Sequence, residues 1–292
     1  MNGYRLLALD IDGTLLNPAG ELTPRVQNAV TGVMRAGMLV TLATGRNLRS
    51  TLPIARALGI TAPLVVSNGS LVICPVTSRV LLYRPLDPEV AKQTVQLLER
   101  AGLAACATRV CLSGPDFFYA QSPSYFAFDL RRGRPPESVQ KVADLAAVAA
   151  RIRPLKVMAL DSTDAVAAAA RELERQFAGR CRVLITPEGE GCALLEVSAP
   201  GVTKATGLER LAALYRICPE EMIAIGDNRN DLEMLRYAGL GVAMGNADDE
   251  VKQAARVVTA PNDADGVAVF LESFILQGAS SRSVPEPTAT RS

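Results

Sequence analysis

Histidine and tryptophan are absent from the 292-residue chain, and aromatic residues make up only 4% of it. Without an imidazole, Ser-His-Asp and Cys-His nucleophile pairs are impossible, as is every histidine-ligated zinc site. Net charge is also lacking. The 31 Lys+Arg nearly cancel the 30 Asp+Glu, leaving +1, so no global field steers the chain toward nucleic acid or an anionic membrane. The cysteines Cys74, Cys106, Cys111, Cys181, Cys192 and Cys218 form no C-x-x-C pair and read as small buried hydrophobes in a reducing compartment. No apolar run approaches a membrane span, and Leu6–Leu9 is too short for the apolar segment of a signal peptide. These absences lead to the expectation of a cytoplasmic protein without nucleic-acid or membrane partners; oligomeric state is left open.

What is present is a globular composition, 49% hydrophobic and 21% charged, with enough length for one large or two ordinary domains. Short apolar runs at Arg5–Leu9, Met38–Ala43, Leu64–Val66, Met222–Ile225, Gly241–Ala243 and Arg256–Val258 read as strands. Thr23–Ala36, apolar at 26, 29, 30, 33 and 34, reads as a helix with a threonine cap and a first-turn proline. Asn47–Leu58 closes on Gly59 in the same way. This alternation predicts a Rossmann-like α/β core with a parallel sheet covered on both faces. From Pro85 to Gly191 the rhythm changes, which predicts an inserted α+β domain. The expected division is 1–84 and 192–277 for the core, 85–191 for the insert and 278–292 for a disordered Ser/Pro/Thr/Arg-rich tail.

Polar clusters stand where the strand-like runs end. Leu9 leads into Asp10-Ile11-Asp12-Gly13-Thr14, Ala43 into Thr44-Gly45-Arg46, Val66 into Ser67-Asn68-Gly69, and Ile225 into Gly226-Asp227-Asn228-Arg229-Asn230-Asp231. Any one of these reads equally well as a hydrophilic turn. Together they bring Asp10, Asp12, Thr44, Asp227, Asn230 and Asp231 to the sheet edge where open α/β sheets bind ligands. Four converging carboxylates repel one another unless a hard cation sits among them, and oxygen donors without histidine or cysteine point to Mg2+. Lys204 opens a helical pattern. A lysine there is ordinarily solvated, but it opposes the helix dipole, which adds weight to a role as an anion ligand.

With these residues assembled, the sequence resembles the haloacid dehalogenase-like superfamily, in particular its Cof-type Mg2+-dependent phosphatases with a large cap. The resemblance rests on D-I-D-G-T-L at 10–15, T-G-R at 44–46, S-N-G at 67–69, V-T-K at 202–204, G-D-N-R-N-D at 226–231, M-G-N-A at 244–247 and N-D-A-D-G-V-A at 262–268. One departure is Ala205-Thr206-Gly207-Leu208, where the family commonly has Gly-x-Ala-Leu. The resemblance implies Asp10 as the nucleophile that forms an aspartyl-phosphate and Asp12 as general acid and base. It implies Mg2+ on the Asp10 and Asp227 carboxylates and the Asp12 carbonyl, with Asp231 behind them fixing a metal water or Lys204. Thr44, Gly45, Lys204 and Asn230 would hold the phosphate. Arg46 reads equally as a phosphate donor or as half of a structural ion pair.

The implied activity is hydrolysis of small phosphorylated metabolites of the sugar-phosphate type. Transfer to an alcohol, as in a phosphotransferase or mutase, and silent binding of a phosphorylated ligand are the competing expectations. The insert would act as a cap over the sheet edge. Phe117, Phe118, Tyr119, Tyr125, Phe126 and Phe128 either line its pocket or fill its own core, and Arg131, Arg132 and Arg134 either bind a second phosphate or are solvated.

Overall fold

The computed structural model describes residues 3–111, 113–121, 136–189 and 191–276. The first part of the chain supplies β1 (Leu6–Leu9), α1 (Pro24–Arg35), β2 (Leu39–Leu42), α2 (Leu48–Leu58), β3 (Leu64–Val66), β4 (Leu71–Ile73) and β5 (Val80–Tyr83). Helix α1 starts where Thr23 accepts a hydrogen bond from the Val26 amide. Helix α2 starts where Asn47 accepts one from Ser50, and it ends on Gly59 in the left-handed region.

The middle of the chain supplies α3 (Pro88–Arg100), β6 (Ala105–Thr108), β7 (Phe117–Tyr119), β8 (Val139–Lys141), α4 (Leu145–Ile152), β9 (Lys156–Ser162), α5 (Thr163–Gln176), β10 (Arg182–Pro187) and β11 (Cys192–Ser198). It returns through α6 (Lys204–Tyr215), β12 (Met222–Gly226), α7 (Leu232–Tyr237), β13 (Leu240–Ala243), α8 (Asp249–Ala254), β14 (Val257–Val258) and α9 (Gly266–Phe270).

The fold is α/β. A parallel sheet runs β14-β13-β12-β1-β2, and an Ala43–Val65 bridge continues it to β3. Successive residues of a strand face opposite ways, and β1 shows why both faces need helices. Leu7 and Leu9 pack into the cluster that holds α1, α2 and α9, whereas Leu6 and Ala8 pack into the one that holds α6, α7 and α8. A second sheet, ordered β10-β11-β9-β6-β7-β8, is antiparallel apart from its β7–β8 pair. One face of it (Ala105, Ala107, Val157, Ala159, Leu195 and Val197) packs on α3, α4 and α5. The opposite face carries Cys106, Met158 and Leu194.

Strand β11 starts at the expected crossing near residue 192. All of Cys192–Ser198 pairs with β9, and most of it also pairs with β10, so β11 stays in the second sheet. An apolar A-L-L-E-V run with one charge suits either sheet; partner register decides which one it joins. Phe118 belongs to the apolar cluster of that domain and Phe117 is fully buried, so these two aromatics serve packing. Tyr125, Phe126, Phe128, Arg131, Arg132, Arg134 and the 278–292 tail lie outside the described residues.

Candidate active site

Strand register assembles the site. Leu9 is level with Ile225 on one side and Leu42 on the other, so Asp10, Asp227 and Thr44 leave the sheet together. The Asp10 amide donates to Ile225 at 3.0 Å, and the Thr44 amide donates to Val65 at 2.9 Å, fixing both strand ends. Gly13, at φ 76°, turns the chain directly over Asp227. A Cβ there would lie 2.1 Å from Asp227 Oδ2, so both the conformation and the close approach require glycine.

Beneath these residues Lys204, the first residue of α6, is 0% exposed. Its Nζ donates to Asp10 Oδ1 and to Asp231 Oδ1, each at 2.6 Å. Asp231 Oδ2 accepts from the Asp227 and Asn228 amides at 3.0 Å, so most of its acceptor capacity is already engaged. Thr14 donates to Asp227 Oδ1 at 2.7 Å. Burial pushes the Asp10 carboxyl well above the usual carboxylate range despite Lys204 beside it, and Asp231 and Asp227 push the same way. Burial, then Asp231, raises Asp227 to about 7. Burial works against the Lys204 charge, but Asp10 and Asp231 outweigh it and hold the ammonium above its ordinary value.

Asp10, Asp227 and Asp231 each offer a carboxylate oxygen within 4.8 Å of the others. One lysine does not neutralise three such groups, and the donors are all hard oxygens, so a Mg2+-class cation fits the residues present. Because Asp231 is engaged elsewhere, Asp10 and Asp227 are the carboxylates suited to direct ligation.

Above this cluster lies a cavity of about 860 Å³, lined by residues of both sheets' domains. Asp10, Asp12, Thr44, Gly45, Asp227 and Asn230 line it from below, and Thr108, Lys156, Met158, Thr186, Leu194 and Glu196 from above. Lys204 and Asp231 are not part of its wall. Arg46 makes a bidentate pair with Asp12, Nε to Oδ2 at 2.7 Å and Nη2 to Oδ1 at 2.6 Å. Of the two readings of Arg46, this is the ion pair. Thr44 accepts from the Arg46 amide at 3.1 Å, which holds the loop in shape.

A family model for haloacid dehalogenase-like hydrolases matches residues 7–271. The chain belongs to that family. This hydrolase is 32% identical over 287 residues to the 5-amino-6-(5-phospho-D-ribitylamino)uracil phosphatase YitU of Bacillus subtilis, covering 92% of this chain and 97% of that one. It is 28% identical to the pyridoxal phosphate phosphatase YbhA of Escherichia coli, covering 93% and 99%. A haloacid dehalogenase-like hydrolase from Bacteroides thetaiotaomicron has the same fold, with TM-score 0.80, 27% identity and coverage of 92% and 98%. The enzyme class expected from the sequence, a phosphoric monoester hydrolase, is the class of the two named phosphatases.

Of the two residues that depart from the family pattern, Ala205 and Gly207, the second has a physical role in this hydrolase. A Cβ on Gly207 would meet Val65 Cγ1 at 2.3 Å, so the glycine lets α6 lie close on β3. Two buried polar residues of the cavity wall, Lys156 and Glu196, and Asn68 behind them were not among the site residues inferred from the sequence. Lys156 and Glu196 form an ion pair, and Lys156 Nζ also donates to the Gly45 carbonyl at 3.0 Å. Asn68 donates to Glu196 Oε2 at 2.8 Å and accepts from Asn230 at 3.0 Å. The available signal was a charged residue inside an otherwise apolar strand, as Glu196 is among Ala193–Val197. Among the described residues, no helix is long and apolar enough to cross a membrane.

Proposed function

We propose that this hydrolase is a Mg2+-dependent, cytoplasmic phosphatase of small phosphorylated metabolites, acting through an aspartyl-phosphate on Asp10. The observation that most supports this is a nearly buried carboxylate in the cavity wall, 2.6 Å from a buried lysine and beside Asp227 and Asp231. In this reading Asp10 attacks phosphorus as the bond to the leaving alcohol breaks, and Asp12 gives that alcohol its proton. Water then attacks the aspartyl-phosphate, passing its proton to Asp12 and freeing inorganic phosphate and the Asp10 carboxylate.

Lys204 fixes the orientation of Asp10, and Asp231 anchors Lys204 and the start of the Asp227 loop. Thr44, Gly45 and Asn230 hold the phosphate oxygens in place, and Arg46 sets the direction of Asp12. Mg2+, held by Asp10, Asp227 and the Asp12 carbonyl, would supply positive charge to the phosphate when bound.

Residues 1–84 and those after Ser198 then form the catalytic core, with 85–198 as the cap that shields the reaction from water. Apolar Leu16, Ile54, Met158 and Leu194 alternate in the cavity wall with polar Thr186 and Glu188, which suits a leaving group of mixed polarity such as a sugar or sugar alcohol.

The test is phosphate release with Mg2+ from a panel of sugar phosphates, the ribitylamino-uracil phosphate and pyridoxal phosphate. Asp10→Asn should lose on the order of 10⁴-fold in kcat while melting cooperatively. Acid-quenched wild-type enzyme should carry phosphate that hydroxylamine removes. Turnover retained in Asp10→Asn overturns the assignment.

A further inference from the structure

A chain of polar side chains runs from the antiparallel sheet into the lower wall of the cavity, and its hydrogen-bond direction is set at one end. Lys156 and Glu196 face the cavity from β9 and β11, where Ser198 is level with Lys156 and Glu196 with Met158. Lys156 Nζ donates to Glu196 Oε1, leaving Oε2 to accept from Asn68 Nδ2 at 2.8 Å. A carboxylate paired with an ammonium can only accept, so the Asn68 amide must turn its nitrogen to Glu196 and its oxygen the other way. That oxygen accepts from Asn230 Nδ2 at 3.0 Å. Asn230 is thereby held with its nitrogen toward Asn68, although its own Oδ1 is buried and has no partner among the described residues. A flipped Asn230 amide would set its oxygen against the Asn68 oxygen. The direction imposed by Glu196 prevents it.

We propose that Glu196 is a positioning residue for phosphate binding: acting through Asn68, it fixes which way the Asn230 amide faces. This rests on the reading of Asn230 as a phosphate-binding residue. Lys156 reinforces the same arrangement by holding the Gly45 carbonyl at 3.0 Å. Phosphate affinity therefore depends on β9 and β11 being seated over the parallel-sheet edge, which ties tight binding to a covered site.

The test exploits a reversal that the structure prescribes. In Glu196→Gln, Lys156 still requires an oxygen, so the new amide turns its nitrogen to Asn68. Asn68 then flips, and Asn230 flips after it, so that Asn230 Oδ1 accepts from Asn68 and its nitrogen takes the place Oδ1 had. The variant should still melt cooperatively, at a lower temperature because Lys156 loses its counter-charge, and inhibition by inorganic phosphate and KM for an aryl phosphate should each weaken about tenfold, the equivalent of one amide hydrogen bond, with kcat changing less. Charge alone predicts the opposite sign, because the variant removes a negative group near an anion site.

Adding Asn68→Asp to Glu196→Gln restores the original direction, since an aspartate accepts from both neighbours. Phosphate inhibition should then recover to within about threefold of wild type, although a carboxylate now lies nearer the anion. Unchanged or tighter phosphate inhibition in Glu196→Gln overturns the proposal, and so does a double variant no better than the single one. Asn230→Ala separates this from failure of the underlying reading. If it leaves phosphate inhibition intact, Asn230 does not bind phosphate and both fall. If it weakens inhibition while Glu196→Gln does not, only the positioning role falls.

Discussion

Two lysines are buried at the site, one in each domain, and they are held in different ways. Lys204 stands at the start of α6 between Asp10 and Asp231, both delivered by strands of the same parallel sheet. Lys156 stands at the start of β9, paired with Glu196 on the neighbouring strand and donating to Gly45 in the other domain. The first depends on register inside one sheet. The second depends on how two sheets face each other. In the proposed function, the lysine surrounded by its own domain's carboxylates serves the reacting group directly, whereas the one that reaches across the boundary reports whether the boundary is closed.

Removing each lysine should expose that difference. Lys204→Ala leaves Asp10 and Asp231 buried without their cation, so it should cost about 3–5 kcal/mol of stability and nearly all turnover. Denaturant unfolding and steady-state kinetics check both expectations. Lys156→Ala strands only Glu196, at the edge of the cavity, and about 2 kcal/mol is expected there. Its kinetic effect should fall mainly on KM.

A sharper comparison replaces the second pair by Lys156→Met with Glu196→Leu. Stability should then be unchanged or higher, because buried ion pairs often cost as much in desolvation as they return, yet phosphate inhibition should still weaken. If stability and phosphate affinity move together instead, the pair is structural and the comparison fails. Asp116→Ala removes the carboxylate that accepts from Asn47 at 3.1 Å and from Arg49 at 3.4 Å, joining the second domain to the start of α2. A loss of about 1–2 kcal/mol and a modest rise in KM are expected from the unpaired groups left behind. At the bottom of the scale, Arg175→Ala breaks an exposed pair with Glu172 on α5 and should leave melting temperature and activity unchanged.

The carboxylate cluster could be read from the sequence because Asp10 and Asp227 directly follow strands that are recognisable by themselves, and Asp231 lies in the turn that comes next. Asp10 follows Leu6–Leu9 and Asp227 follows Met222–Gly226, so placing the strands places the side chains. Lys204 was legible for a related reason, its unfavourable position in the first turn of a helix. Arg46 and Asp12 lie 34 residues apart, and nothing local distinguishes an arginine aimed at a phosphate from one aimed at a carboxylate. Lys156 opens a strand, where a lysine is ordinarily solvated, and Glu196 differs from its neighbours only by being charged. The sheet that β11 joins was not legible for the same reason: an apolar run specifies a strand but not its partner.

Local pattern thus sufficed for the strands of the parallel sheet, the helices α1 and α2 and the polar residues at the sheet edge, because hydrophobic periodicity, caps and turn residues act over a few positions. Contacts between the domains needed the folded chain. Whether Lys156 is solvated or buried, which sheet takes Cys192–Ser198 and which way the Asn230 amide turns are set by groups distant in sequence, through burial and hydrogen-bond direction that arise only once the two sheets meet.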